Sequence, residues 1–488
     1  MKNKLLFYLI SAACFLSYTS TFTSCINGVD DEYLELQNTD DGNDDKGEEL
    51  PDINGEYSAT GDFDLEMTCN GETLDGKKVT LSVDENNEKA SITFAGGEVD
   101  LETAIAEAIP GGVGGLISGW GLKYTSYSPV PGQKEITVPN VPLFKNGTQS
   151  YMFEGSNIQP TYTMSFNGKI EGEKMTINVN YELTNQTLAG TWDLAPVYAM
   201  NNNDNSPDQS PLWLDWDSEV KTDLGSIQVE MLPGMFTGLA VKGKMNGIFN
   251  TLATSASPMV MEQIIGIKLG LQPLLRNLLQ SVTAESNGGM YAIYSYSGDL
   301  NAPQWSGADG MPHDALRYYY DPENPENRVY MEINGSFLID MIKSLAAIAT
   351  TPAAPTALTT RSTPTTRDLR GTAMELIALL VPVLEKGLPC DYVLDGDKLS
   401  INIDGVLLRD VLVKIIDIAN SPEAAETVNG LFASLGNFQT NIIKLLETLP
   451  NTLKYHDAGS YDENNVPSDL SGECGYVKLG LKFVKATN

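Results

Sequence analysis

Side chains able to carry acid–base or nucleophilic chemistry are scarce in this chain: of 488 residues, two are histidine and five are cysteine. His313 lies in Met311-Pro312-His313-Asp314 and His456 in Tyr455-His456-Asp457, each followed by an aspartate. A nucleophilic triad needs a base that touches the nucleophile and is steered by an acid. A sequence neighbour on a strand cannot steer it, because adjacent side chains point to opposite faces. No Gly-x-Ser-x-Gly elbow nominates a serine, and His/Cys spacing of the zinc kind is absent. Asp41-Gly42-Asn43-Asp44-Asp45 alternates oxygens as a calcium loop does, but Lys46 stands where such a loop turns on glycine. The glycines from Gly111 to Gly121 match neither a dinucleotide fingerprint nor a phosphate loop. The sequence nominates no catalytic residue, no metal ligand and no cofactor, so a binding protein is expected rather than an enzyme.

Cys25 has the clearest chemical role. Lys2 and Lys4 precede an apolar run from Leu5 to Leu16, and the small residues Thr23-Ser24 stand directly before the thiol. Phe22-Thr23-Ser24-Cys25 resembles a bacterial lipobox, with Phe22 where the pattern usually has leucine. The resemblance implies cleavage of residues 1–24 as a signal peptide and lipidation of Cys25. Cys14, after Ala12-Ala13, is the competing position, but a cut there leaves a short apolar segment and exposes Phe15, Leu16 and Tyr18. The apolar run is too short to span a bilayer as a helix.

Residues 25–53 read as an acidic, disordered tether: Asp30-Asp31-Glu32, Asp40-Asp41, Asp44-Asp45 and Glu48-Glu49 face the single base Lys46. Acidic residues shortly after a lipidated cysteine resemble the surface-export signal of Bacteroidetes lipoproteins. That implies a lipid-anchored outer-membrane protein facing the extracellular side, with the membrane as a partner through the N-terminal lipid. A formal charge of −33 disfavours nucleic acid, whose binding rests on lysine and arginine neutralising phosphates. The remaining cysteines are Cys69, Cys390 and Cys474 once Cys14 leaves with the signal. Cys390-Asp391-Tyr392-Val393 and Cys474-Gly475-Tyr476-Val477 open similar strand-like runs, so Cys390 and Cys474 are either a disulfide or two buried thiols.

Past the tether, period-two patterning predicts strands at 62–69, 78–83, 89–94, 134–138, 149–154 and 162–170. A short helix is predicted from Val99 to Ile109. The hairpin from Ile170 to Asn180 turns at Glu171-Gly172 and recurs position by position from Leu394 to Asp404, turning at Asp395-Gly396. Leu188-Ala189-Gly190-Thr191-Trp192 likewise echoes Ile53-Asn54-Gly55-Glu56-Tyr57. Two related modules follow, 54–187 and 188–488. Gly55-Glu56-Tyr57 and Gly190-Thr191-Trp192 resemble the opening of calycin (lipocalin-like) barrels, where an aromatic on the first strand plugs the base. Together with the lipobox and the acidic tether, this is similar to Bacteroidetes outer-membrane lipoproteins with calycin-like domains. The resemblance implies an α+β, β-dominated fold of two antiparallel calycin-like modules, the second enlarged by amphipathic helices.

Those helices are expected at Met259–Val282, Thr372–Lys386 and Leu431–Leu449, and after Asp404-Gly405, where Leu408, Val411, Leu412, Ile415 and Ile416 form one stripe. Ile333-Asn334-Gly335 and Met245-Asn246-Gly247 begin like Ile403-Asp404-Gly405. Residues 351–371, rich in Thr, Pro and Ala, read as a flexible linker carrying Arg361, Arg367 and Arg370. Trp213 and Trp216 should fall on opposite faces of a strand. Asp321 to Asn327 reads as a surface hairpin between Tyr318-Tyr319-Tyr320 and Arg328 to Ile333. The function expected is non-enzymatic binding of a hydrophobic or amphipathic small molecule between the second module and its helices. The alternative is an interaction, adhesin or glycan-binding component of an envelope complex.

Overall fold

The structure is a computed structural model. It describes residues 53–487 except 60, 62, 87, 104–122, 147–149, 197–210, 233–234, 249–274, 296–301, 308–309, 311–312, 314, 335–378, 380–381, 421–437 and 462–466. Cys25 and its tether, the calcium-like run, Gly111–Gly121 and the linker arginines lie outside the described residues, as does the helix expected after Asn334.

Alternation sets the first sheet. In Lys174–Leu183 every second side chain, Met175, Ile177, Val179, Tyr181 and Leu183, is buried while those between are exposed. This strand pairs with Tyr162–Glu171 in unbroken register from Tyr162↔Leu183 to Glu171↔Lys174, around Gly172 at φ 59°. Ser150–Ile158, Glu135–Asn146, Lys89–Gly96, Lys77–Val83 and Gly55–Ser58 continue the antiparallel meander. The opening segment is broken after Ser58, and its second half, Asp64–Cys69, crosses to the far edge. There it runs parallel to Lys174–Leu183, from Asp64↔Lys174 to Cys69↔Val179. Parallel pairing is forced, because the opening run and the seventh strand of a meander point the same way. The two edges meet at an isolated Tyr57–Phe63 bridge, with the rings stacked at 5.0 Å.

The second sheet is a closed barrel of eight strands: Gly190–Leu194, Leu279–Ala284, Gly289–Tyr294, Leu316–Tyr320, Arg328–Ile333, Leu388–Asp395, Lys398–Ile403 and Val477–Lys485. Neighbours are antiparallel throughout. Because the count is even, the last strand returns antiparallel to the first, with Trp192↔Lys485 and Leu194↔Phe483 closing the ring. Leu212–Trp216 lies beside the other end of Val477–Lys485. The repeated hairpin about Gly396, at φ 61°, joins the sixth and seventh strands here, as the one about Gly172 does in the first sheet. The expectation of a β-dominated fold is met. Most of the buried apolar side chains of the two sheets form one continuous cluster, from Ile53 to Phe483.

Helices Gly405–Ala419 and Phe438–Lys454 lie between the seventh and eighth barrel strands. Ile416 and Leu453 join Trp216, Met245, Ile248, Cys474 and Val477 in a second apolar cluster, with Leu408, Leu412, Val413 and Leu449 packed against it. The described apolar side chains of these helices thus pack as core. The stripe differs from expectation at Ile415, which is exposed, because the helix turns Leu408, Leu412 and Ile416 inward at i, i+4 and i+8.

Other expectations are corrected. Leu279-Gln280-Ser281-Val282, read as the end of a helix, begins the second barrel strand. Val99 lies on the strand Glu98–Asp100, paired with Lys123–Thr125, and Asp100 caps the helical turn that follows by accepting from Thr103 N at 3.0 Å. Cys390 and Cys474 form no disulfide and are separate buried thiols. Cys390 is packed in the large core, whereas Cys474 precedes the last strand in the smaller cluster. Similar opening sequences did place both near strands, but Lys398–Ile403 lies between those two strands and the thiols are buried in different cores. Trp213 and Trp216 diverge as expected, with Trp216 buried and Trp213 half-buried over Gly480.

Candidate functional site

The two sheets meet along an interface rich in tyrosine. Leu183 N donates to Ser286 O at 2.9 Å and Leu188 N to the Tyr320 hydroxyl at 3.0 Å, tying the end of the first sheet to the barrel. Beside these contacts lies a cleft of about 730 Å³. Tyr162 and Tyr181 come from the first sheet, Tyr127 from the loop after Lys123–Thr125, and Tyr319, Tyr320 and Tyr330 from the barrel. Pro131, Pro160, Pro322 and Pro325 add stiff apolar surface, and Gln133, Asn185, Asp321 and Glu323 supply polar groups.

The rings are fixed by their own contacts. Tyr319 and Tyr330, opposite one another on paired strands, stack at 5.1 Å with a 14° interplanar angle. Tyr127 and Tyr319 hydroxyls lie 3.2 Å apart, and Tyr319 donates to the Lys386 carbonyl at 2.6 Å. Gly132, at φ 79°, is required here, since a Cβ would come within 2.7 Å of the Tyr319 ring. Burial pushes the Tyr127 and Tyr320 phenols up to about 12 and those of Tyr162, Tyr181, Tyr319 and Tyr330 upward as well. All six are neutral phenols at physiological pH. They offer flat apolar faces edged with hydroxyl groups, and the half-buried members are Tyr319 and Tyr330.

A second space lies among apolar side chains of the barrel, including Trp192, Leu279, Met331, Ile401 and Phe483, and measures about 60 Å³. Ligand pockets run to roughly 300–1,000 Å³, so this lumen is filled by its own side chains.

The histidines each find a carboxylate remote in sequence. His313 Nδ1 lies 2.9 Å from Glu285 Oε1 with its ring stacked on Tyr291 at 4.2 Å, and His456 Nε2 lies 3.2 Å from Asp217 Oδ1. Imidazole and carboxylate are two parts of a triad. Among the described residues neither imidazole hydrogen-bonds a serine or a thiol, so no base meets a nucleophile.

Tyr57 and Trp192 sit on the opening strands of the two sheets, as the sequence places them, and both are buried. The sequence pointed to Tyr318-Tyr319-Tyr320 and the hairpin after it but missed the cleft. Its other walls come from residues up to 200 positions away, and only the sheet pairing brings them together. Compared with family models, curated proteins and solved structures, the chain matches none.

Proposed function

We propose that this chain is a lipid-anchored, surface-facing envelope protein with calycin-like β modules, and that it binds carbohydrate in the tyrosine-lined cleft. The cleft carries the reading. Its volume of about 730 Å³ is that of a ligand site, whereas the barrel lumen is an order of magnitude smaller and the helices pack as core. A sugar ring has one face of C–H groups that lies on an aromatic ring and a rim of hydroxyls that needs donors and acceptors. Stacked Tyr319 and Tyr330 supply the first, and Gln133, Asn185 and Asp321 the second. A purely apolar ligand would leave these polar groups without partners. The calycin-like reading is supported by the antiparallel barrel and the buried aromatic on its first strand.

A glycan array probed with the purified full chain, followed by calorimetry on the best oligosaccharide, tests the site. Tyr330→Ala should weaken binding by about tenfold or more while leaving the circular dichroism spectrum unchanged. Unchanged affinity in that variant would overturn the assignment. So would retention of an acyl-chain molecule in native mass spectrometry with no glycan bound, which would favour an apolar carrier. Metabolic labelling with palmitate, lost in Cys25→Ser, tests the anchor.

A further inference from the structure

Arg317 is only 6% exposed, yet among the described residues no carboxylate lies within ion-pair distance of it. Its guanidinium touches the Cys69 sulfur through Nη2 at 3.9 Å and lies 5.6 Å over the Tyr181 ring. Glu332 is its cross-strand neighbour but makes no ion pair with it, and burial raises that carboxyl's pKa while Lys77 and Arg317 pull it down. A guanidinium carries five donors in a planar fork, and burying it without an anion is costly. Arg317 borders a cavity of about 110 Å³ whose lining also includes Cys69, Asn70, Glu72, Glu285 and His313. A buried cation with an unfilled fork at a cavity wall calls for an anion in that cavity.

The rest of the lining restricts the anion. Glu72 and Glu285 repel a dianion such as phosphate but would hold an ammonium group. Glu285 is fixed for that role by His313 at 2.9 Å, which leaves its second oxygen to accept. A cavity of about 150 Å³ takes a benzene ring of six heavy atoms, so one somewhat smaller takes about five or six. We propose that this cavity binds a small zwitterionic α-amino acid, of glycine or alanine size, with its carboxylate on the Arg317 fork and its ammonium on Glu285. The site is separate from the carbohydrate cleft, and neither reading depends on the other.

Calorimetry on the full chain with glycine, L-alanine, acetate, methylammonium and inorganic phosphate tests this. One of the two amino acids should bind, with acetate and methylammonium each about tenfold weaker or worse and phosphate not detectable. Arg317→Lys keeps the charge but loses the fork, and Glu285→Gln keeps the hydrogen bond to His313 but loses the charge. Each should weaken amino-acid binding by about tenfold with the fold intact by circular dichroism. The proposal is overturned if neither amino acid binds at about 10 mM, a concentration that detects even millimolar affinity. It is equally overturned if acetate or phosphate binds as tightly, or if Glu285→Gln leaves the affinity unchanged.

Discussion

Trp192 and Tyr57 repeat one contact in the two sheets: the Trp192 indole N–H donates to the Leu188 carbonyl at 2.8 Å, and the Tyr57 hydroxyl to the Ile53 carbonyl at 3.0 Å. In each sheet an aromatic on the opening strand ties back four residues to the segment that leads in. Removing the donor while keeping a ring should therefore cost about 1 kcal/mol in Tyr57→Phe and somewhat more in Trp192→Phe, which also loses ring volume. Trp192→Ala should cost about 3–5 kcal/mol by opening a cavity in the barrel core. Urea unfolding followed by circular dichroism measures all three, and a Tyr57→Phe variant as stable as the parent would show that the ring alone holds the entry strand.

Both hairpins about Gly172 and Gly396 were legible because strict alternation and a glycine in the left-handed region are local signals. Each joins the sixth and seventh strands of its own sheet. Leu279 to Val282 was misread because a short apolar run looks the same in a buried strand and a buried helix. The cleft was illegible for a different reason. Tyr181 and Tyr319 lie 138 positions apart in the numbering, and nothing local says that the edge of one sheet abuts the turn of the other. Arg317 gave no signal either, since a lone arginine between Leu316 and three tyrosines reads as the solvent side of a strand.

The thiols should be inert in the native state. Burial pushes the Cys474 thiol up to about 11 and that of Cys390 higher still, so neither supplies thiolate near neutral pH. Ellman's reagent should leave both unmodified until the chain is unfolded. Reductant should not change the melting temperature, and a Cys390→Ser, Cys474→Ser chain should migrate like the parent on a non-reducing gel. A mobility difference between oxidised and reduced parent that vanishes in the double variant would restore the disulfide.

Asp404 does two jobs at the start of helix Gly405–Ala419. Its Oδ1 accepts from Val406 N at 3.1 Å and Leu407 N at 2.9 Å, and its Oδ2 accepts from Arg328 Nη2 at 2.6 Å. Arg328 also reaches Asp391 at 2.9 Å, so its charge is not stranded when Asp404 is lost. Asp404→Ala should cost about 1–2 kcal/mol, most of it the lost cap, while Asp404→Asn keeps the cap and should cost under about 1 kcal/mol. Equal losses in the two variants, measured by thermal unfolding, would assign the effect to the ion pair instead.

Glu332 makes stability depend on pH in the direction opposite to an ion-paired carboxylate. Its side chain is buried, Oε2 has no hydrogen-bond partner, and desolvation raises its pKa above the ordinary 4.5 against the opposing pull of Lys77 and Arg317. The folded state therefore holds the proton more tightly than the unfolded chain does. Stability from this group is greatest at and below the ordinary carboxylate value, falls as pH rises toward the raised folded value, and is flat above it. Glu332→Gln, which mimics the protonated carboxyl, should match the parent near pH 4.5 and exceed it in stability increasingly as pH rises. Urea titrations of both chains at several pH values isolate the effect, because every other carboxylate is common to the two. A difference that does not change with pH would mean that Lys77 and Arg317 hold Glu332 ionised in the fold. Arg317 would then have a fixed counter-charge across the strand pair, and the case for an anion in its cavity would weaken with it.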